Sequence, residues 1–167
     1  GIEVWGNSTI HQYTVNGHFY QGVLEMRNGA TLENAICAVK LYDPSNKQNS
    51  GGIIHASDAV FRNNVESVSA RDYINYNPVN GNETSYNASF RNYTFTLDAK
   101  YTGDEFFYRH VYFDRVNGIK FHGCSFSVNK RVPWVIQECS GIEANSAGFT
   151  IDAFCDANIL PCPEESL

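Results

Sequence analysis

No stretch of about eighteen apolar residues occurs in this sequence, so nothing reads as a membrane-crossing helix and no membrane insertion is expected. Basic side chains are in short supply. Twelve Lys and Arg stand against eighteen Asp and Glu, a formal net charge of −6, and apart from Lys130-Arg131 they are scattered. A nucleic acid or an anionic membrane would want a basic face, so neither is expected as a partner. The opening Gly1-Ile2-Glu3-Val4-Trp5 lacks the basic and apolar segments of a signal peptide. Gly1-Ile2 already looks like the start of a strand, so the chain is expected to be a fragment or processed form of a longer polypeptide. Cys-x-x-Cys is absent as well: Cys37, Cys124, Cys139, Cys155 and Cys162 show no zinc or redox spacing. Cys37 and Cys124 sit in apolar contexts and read as small core residues, whereas Cys155 and Cys162 are close enough in the tail to form a disulfide. Helical periodicity is missing too, because no ten-residue stretch keeps apolar residues at i, i+3, i+4 and i+7.

What is present is a repeat. The 167 residues, 43% hydrophobic and 14% aromatic, suffice for one domain with a sizeable core. Along them Ala30-Thr31-Leu32-Glu33-Asn34, Ala59-Val60-Phe61-Arg62-Asn63 and Ala88-Ser89-Phe90-Arg91-Asn92 follow one another at intervals of 29 residues. Weaker copies stand at Ser8-Thr9-Ile10, Cys124-Ser125-Phe126 and Ala147-Gly148-Phe149. A period of twenty-odd residues implies a supersecondary unit that buries its apolar face only by stacking on its neighbours.

A second element precedes the first in most copies: Gly1-Ile2, Gly22-Val23, Gly52-Ile53, Gly118-Ile119 and Gly141-Ile142. Between the two sit turn pairs, Asn28-Gly29, Ser57-Asp58, Tyr86-Asn87, His122-Gly123 and Asn145-Ser146, whose residues tolerate a sharp corner. Val39-Lys40-Leu41, Val65-Glu66-Ser67-Val68 and Phe95-Thr96-Leu97 supply a third strand. Each unit is therefore strand, corner, strand with alternating side chains, and a variable return. Leu32, Phe61 and Phe90 are expected to stack in one dry interior, with Glu33, Arg62 and Arg91 outside. Asn34, Asn63 and Asn92 are expected to form a hydrogen-bonded ladder that satisfies buried turn groups. Residues 69–84 and 99–107 read as loops.

This Gly-Ile, turn, small-x-Phe-x-Asn grammar resembles the right-handed parallel β-helix proteins of the pectate-lyase-like superfamily. It is similar in particular to β-helix segments of large secreted or surface proteins of Gram-negative bacteria. The resemblance implies an all-β solenoid of about six rungs over residues 1–151, with 152–167 as an irregular cap or linker. It also implies an extracellular location.

β-Helix enzymes of that group mostly cut acidic polysaccharides. Lyases among them hold Ca²⁺ through several Asp on neighbouring rungs, but the corner position here offers Gly29, Asp58, Asn87, Gly123 and Ser146, a single carboxylate. Calcium is thus unsupported and no cofactor is expected. Of the hydrolase motifs only Phe121-His122-Gly123 echoes one, and no carboxylate pair stacks at the spacing that inverting hydrolysis needs. The best polar set is His55, Asp58, Lys120 and His122. His55 and Lys120 share an offset from their corners, with Thr84 expected on the rung between. Solvated strand-face side chains account for this set most simply. Aromatics concentrate in the returns, and Tyr76, Tyr101, Tyr108 and Trp134 are candidates for stacking on sugar rings, although half-buried strands also favour aromatics.

The segment is accordingly expected to be a non-catalytic structural, adhesive or glycan-contacting part of a larger secreted or cell-surface protein. The alternative is a polysaccharide lyase or glycoside hydrolase whose active residues are atypical or lie outside this stretch. Open strand edges at either end could also support end-to-end or edge self-association.

Overall fold

A computed structural model describes residues 1–103, 105–129 and 135–153. Short strands wind into three parallel walls that close around one interior. The first wall holds Val23–Met26, Ile53–Ser57, Ser89–Arg91, Asn117–His122 and Gly148–Asp152. The second holds Thr31–Glu33, Val60–Arg62, Thr94–Leu97 and Ser125–Val128; the third holds Ile2–Glu3, Cys37–Lys40, Glu66–Arg71, Phe107–Asp114 and Val135–Asn145. An antiparallel hairpin, Tyr42–Asp43 with Asn46–Ser50, projects from the return of one turn.

The chain is thus an all-β parallel solenoid, with four complete turns flanked by one strand at each end rather than about six rungs. The overcount has a specific source. Ala30–Asn34, Ala59–Asn63 and Cys124–Phe126 lie on the second wall, but Ala88–Asn92 and Ala147–Phe149 lie on the first, and Ser8-Thr9-Ile10 is in a loop. Strands on both the first and the second wall alternate inward and outward and end at a left-handed corner residue, so the same five-residue grammar arises on more than one wall.

The interval of 29 residues therefore fails at its third step. Phe61 pairs with Leu32 on one side and with Phe95, not Phe90, on the other. Phe90 pairs instead with Ala56 and Phe121 on the first wall. The long return after Arg71 lengthens that turn, which moves the copy at 88–92 back by one wall. Phe90 still enters the same core, in which Phe61, Phe90, Phe95 and Phe121 are all essentially buried. The rings stack in columns: Phe61 on Phe95 at 5.4 Å between centroids, Phe95 on Phe126 at 4.7 Å, and Phe90 on Phe121 at 4.9 Å. Similarly, Phe95-Thr96-Leu97 belongs to the second wall, and Phe107–Asp114 is the third-wall strand of that turn.

Corners use left-handed backbone, which Asn and Asp adopt more readily than most residues. Asn28, Asp58 and Asn92 occupy it between the first and second walls, Asn34 and Asn63 between the second and third, and Asp72, Arg115 and Ser146 between the third and first. The expected ladder is thereby split. Asn34 and Asn63 share one corner, whereas Asn92 sits at another, where its Nδ2 donates to Asp58 Oδ1 at 2.7 Å. Asn63 exchanges bonds with Asp98 instead: Nδ2 donates to Asp98 Oδ1 at 3.0 Å and Oδ1 accepts from Asp98 N at 2.9 Å. Asn87, taken from sequence as a corner, precedes a first-wall strand.

Outside, Glu33 and Arg62 pair at 2.5 Å, both substantially exposed. Arg91 lies on a different wall, and Thr96 is the residue beyond Arg62. Cys37, Cys124 and Cys139 are free thiols. Cys155, Cys162 and Trp134 lie outside the described residues, as does most of the expected cap; Gly148–Asp152 is still a first-wall strand.

Replacing Phe61 or Phe95 by Ala should lower stability by about 3–5 kcal/mol, because each change empties a stacked interior position. Arg62→Ala should cost under about 1 kcal/mol, since its ion pair is solvent-screened. Urea unfolding of the three variants checks this, and equal losses would contradict the inside–outside assignment.

Candidate functional site

Two insertions, ahead of Gly22 and after Arg71, pack against each other over the outer face of the first wall. Tyr73 and Tyr76 donate their hydroxyls to the backbone of the earlier insertion, at Ile10 O (2.7 Å) and Thr9 O (2.9 Å). Gln12, almost fully buried, joins the two insertions to the solenoid. Its N donates to Asn75 Oδ1 at 2.9 Å and its Nε2 to Gly51 O at 2.8 Å. Its Oε1 accepts from Asn87 N at 2.7 Å, and its carbonyl accepts from Asn87 Nδ2 at 3.1 Å. Gly51 makes this join possible: its φ is +90°, and a Cβ there would come within 2.4 Å of the Tyr73 ring.

Between the insertions and the wall lies an open cleft of about 590 Å³. Its floor is Ala88, Ser89 and Lys120; its sides are Gln12, Tyr13, Thr14 and Phe19 from one insertion and Asn75, Thr84, Ser85, Tyr86 and Asn87 from the other. These side chains offer aromatic faces, hydroxyls, amides and one ammonium group, and none is a carboxylate. His55 lies alongside, its ring edge-on to Phe19 at 6.2 Å and its Nε2 3.1 Å from Asn87 Oδ1.

Ser89, not Thr84, stands between His55 and Lys120. It pairs with His55 on one strand and with Lys120 on the next, so the three share one outward column at about 4.8 Å per step. Thr84 reaches the cleft from the insertion instead. The other two members of the sequence-derived set lie away from it. Asp58 is at the corner, bonded to Asn92, and His122 is in register with Arg91 at the strand's far end.

The aromatic candidates also separate. Tyr76 is half-buried, with its ring against His11 at 5.7 Å, near the cleft but not lining it. Tyr101 is buried beside Leu97 and Phe107 and donates its hydroxyl to Glu105 O at 2.7 Å, so burial removes it from a stacking platform. Tyr108 is exposed and lines a separate hollow with Ile36, Cys37, Val65, Glu66 and Arg109. In that hollow burial, reinforced by Glu66, pushes the Cys37 thiol up to about 12, which keeps it protonated and unreactive. Among the described residues no group of three His, Cys, Asp or Glu side chains is placed to hold a metal ion.

Comparison with family models, curated proteins and solved structures finds no match for this chain. Sequence reasoning missed Gln12, Tyr13, Phe19, Asn87 and Ser89. The one available signal was the aromatic density of Tyr13, Phe19 and Tyr20 in a segment with no strand pattern.

His110 is the most unusual titratable group away from the cleft. It is buried with Phe95, Phe107 and Phe126 around it; Nε2 is 3.0 Å from Ser127 O, and Nδ1 has no partner. Burial lowers its pKa to about 4, against the smaller opposing effect of the Ser127 carbonyl. An unfolded His takes up its proton near pH 6.5, so the fold should lose stability between about pH 6.5 and 4, and lose no more below that from this group. The expected contribution is about 3 kcal/mol. Urea midpoints measured across that range should fall less steeply in His110→Leu than in the parent chain.

Proposed function

We propose that the chain is a β-solenoid segment of a larger secreted or cell-surface protein, and that its cleft contacts a glycan. The single observation that carries this is the composition of the cleft: Tyr13 and Phe19 rings, surrounding hydroxyls and amides, and Lys120 on the floor. Sugars present apolar C–H faces that pack on aromatic rings, and hydroxyls that need several convergent donors and acceptors. In this proposal the solenoid is the rigid stalk, and its kinship is with the pectate-lyase-like β-helices of bacterial surface proteins. The half-exposed Ile2 and Val23 at one end and Phe149 and Ile151 at the other are where it would associate end to end. Light scattering that finds a strict monomer at all concentrations would remove that last element.

One observation favours a second reading, a polysaccharide lyase. Lys120 puts a cation in a glycan-sized cleft, where it would pair with the carboxylate of an acidic sugar, the group whose neutralisation β-elimination needs. A glycoside hydrolase of the two-carboxylate kind gains no such support from the cleft lining.

Titration calorimetry against a panel of neutral and acidic oligosaccharides tests the proposal. Phe19→Ala and Lys120→Ala should each weaken binding by about tenfold, roughly 1.4 kcal/mol, with the thermal midpoint unchanged. Binding by no glycan in the panel, or binding indifferent to both substitutions, would refute it. Unsaturated products accumulating with an acidic polymer would favour the lyase.

A further inference from the structure

The column His55, Ser89, Lys120 holds more than a binding surface requires. Ser89 lies between two inward residues, Ala88 and Phe90, so its hydroxyl points out into the cleft floor. In-register pairing on both sides sets it one strand spacing, about 4.8 Å, from His55 and the same from Lys120. Asn87 selects the tautomer of a neutral His55. Its Nδ2 is committed as a donor to Gln12 O, so its Oδ1 is the acceptor facing His55 Nε2 at 3.1 Å. The neutral imidazole therefore carries its proton on Nε2, which leaves the lone pair on Nδ1.

We propose that Ser89 is the nucleophile of an acyl-ester hydrolase site, with His55 as its base. The arrangement has the parts such chemistry needs: a hydroxyl, a neighbouring imidazole and an amide that orients the imidazole. Ser89 Oγ attacks the ester carbonyl while His55 Nδ1 takes its proton. The carbonyl oxygen becomes an oxyanion, and the Lys120 ammonium is the positive charge beside it. Collapse breaks the bond to the alcohol oxygen, which leaves with the proton from His55. Water then attacks the acyl-Ser89 and gives its proton to His55; collapse breaks the bond to Ser89 Oγ, which takes that proton back from His55 as the acid departs. Asn87 is a positioning residue. The substrate class, an O-acylated glycan, rests on the cleft being a glycan site; the nucleophile does not.

Labelling and hydrolysis measured on the full chain test this. A fluorophosphonate probe, which phosphonylates activated serines, should label the peptide containing Ser89 in the parent and not in Ser89→Ala. Hydrolysis of p-nitrophenyl acetate should fall by about 10²-fold or more in Ser89→Ala and in His55→Ala. Ser89→Ala is expected to fold normally because its hydroxyl makes no hydrogen bond among the described residues, and an unchanged thermal midpoint verifies this. Asn87→Asp, which keeps an acceptor for Nε2–H, should retain hydrolysis, whereas Asn87→Ala should lower kcat with KM unchanged. No labelling of the parent, or hydrolysis that survives Ser89→Ala, overturns the proposal even if glycans bind. Hydrolysis that depends on Ser89 in a chain that binds no glycan sustains the nucleophile and refutes the glycan reading. Failure to release acetate from O-acetylated xylan while p-nitrophenyl acetate is cleaved refutes the substrate class.

Discussion

Parallel backbone pairing between successive turns is the constraint from which the rest of this molecule follows. Each strand offers its N–H and C=O groups to the turn before and the turn after, and those bonds hold residues some thirty positions apart at a fixed spacing. Once that register is set, each inward side chain packs on its register partners in the turns before and after. Flat rings suit the geometry, which is why Phe95 lies nearly parallel to Phe126 and Phe90 to Phe121, at 8° and 10°. Corners are subject to the same rule: left-handed residues recur at equivalent corners of successive turns, as at Asn28, Asp58 and Asn92 or at Asn34 and Asn63.

Register acts on the outer surface too, and with a different consequence. Side chains that pair outside are free to be unlike, so the columns there become chemical sequences read along the solenoid axis. On the third wall Arg109 bonds Glu66 and Glu143, each at 2.8 Å, and lies over the Tyr112 ring at 3.9 Å. Arg71 is held between Tyr112 and Tyr42, at 4.7 and 5.2 Å from their centroids. Such stacked cations and rings hold neighbouring turns together at the surface. On the first wall the same rule sets His55, Ser89 and Lys120 side by side, which is what lets a strand face with no sequence motif carry candidate chemistry.

The cleft itself depends on breaks in the repeat. Insertions before Gly22 and after Arg71 extend the returns, and the later one sends Tyr73 and Tyr86 into the buried cluster. They are joined to each other by Gln12, which bridges Asn75, Gly51 and Asn87, and by two tyrosine hydroxyls meeting backbone carbonyls. A polar side chain as buried as Gln12 has to satisfy its bonding groups, and doing so is what joins the two segments.

The sequence alone determined the architecture, because alternation, corner residues and the need to stack are local or near-periodic properties that survive without coordinates. Strand, corner and strand were legible at Gly22–Asn34 and Gly52–Asn63, and Leu32 over Phe61 followed from them. What only the tertiary structure decided was the length of each return, and with it the wall on which a given copy lands. Residues 72–87 carry no periodic signal, so nothing in the chain announced that Phe95 rather than Phe90 continues the column above Phe61, or that Ser89 rather than Thr84 sits between His55 and Lys120. The partnership of Gln12 with Asn87 was equally hidden. It joins positions 75 residues apart through hydrogen bonds that exist only when two loops have been laid over the same wall.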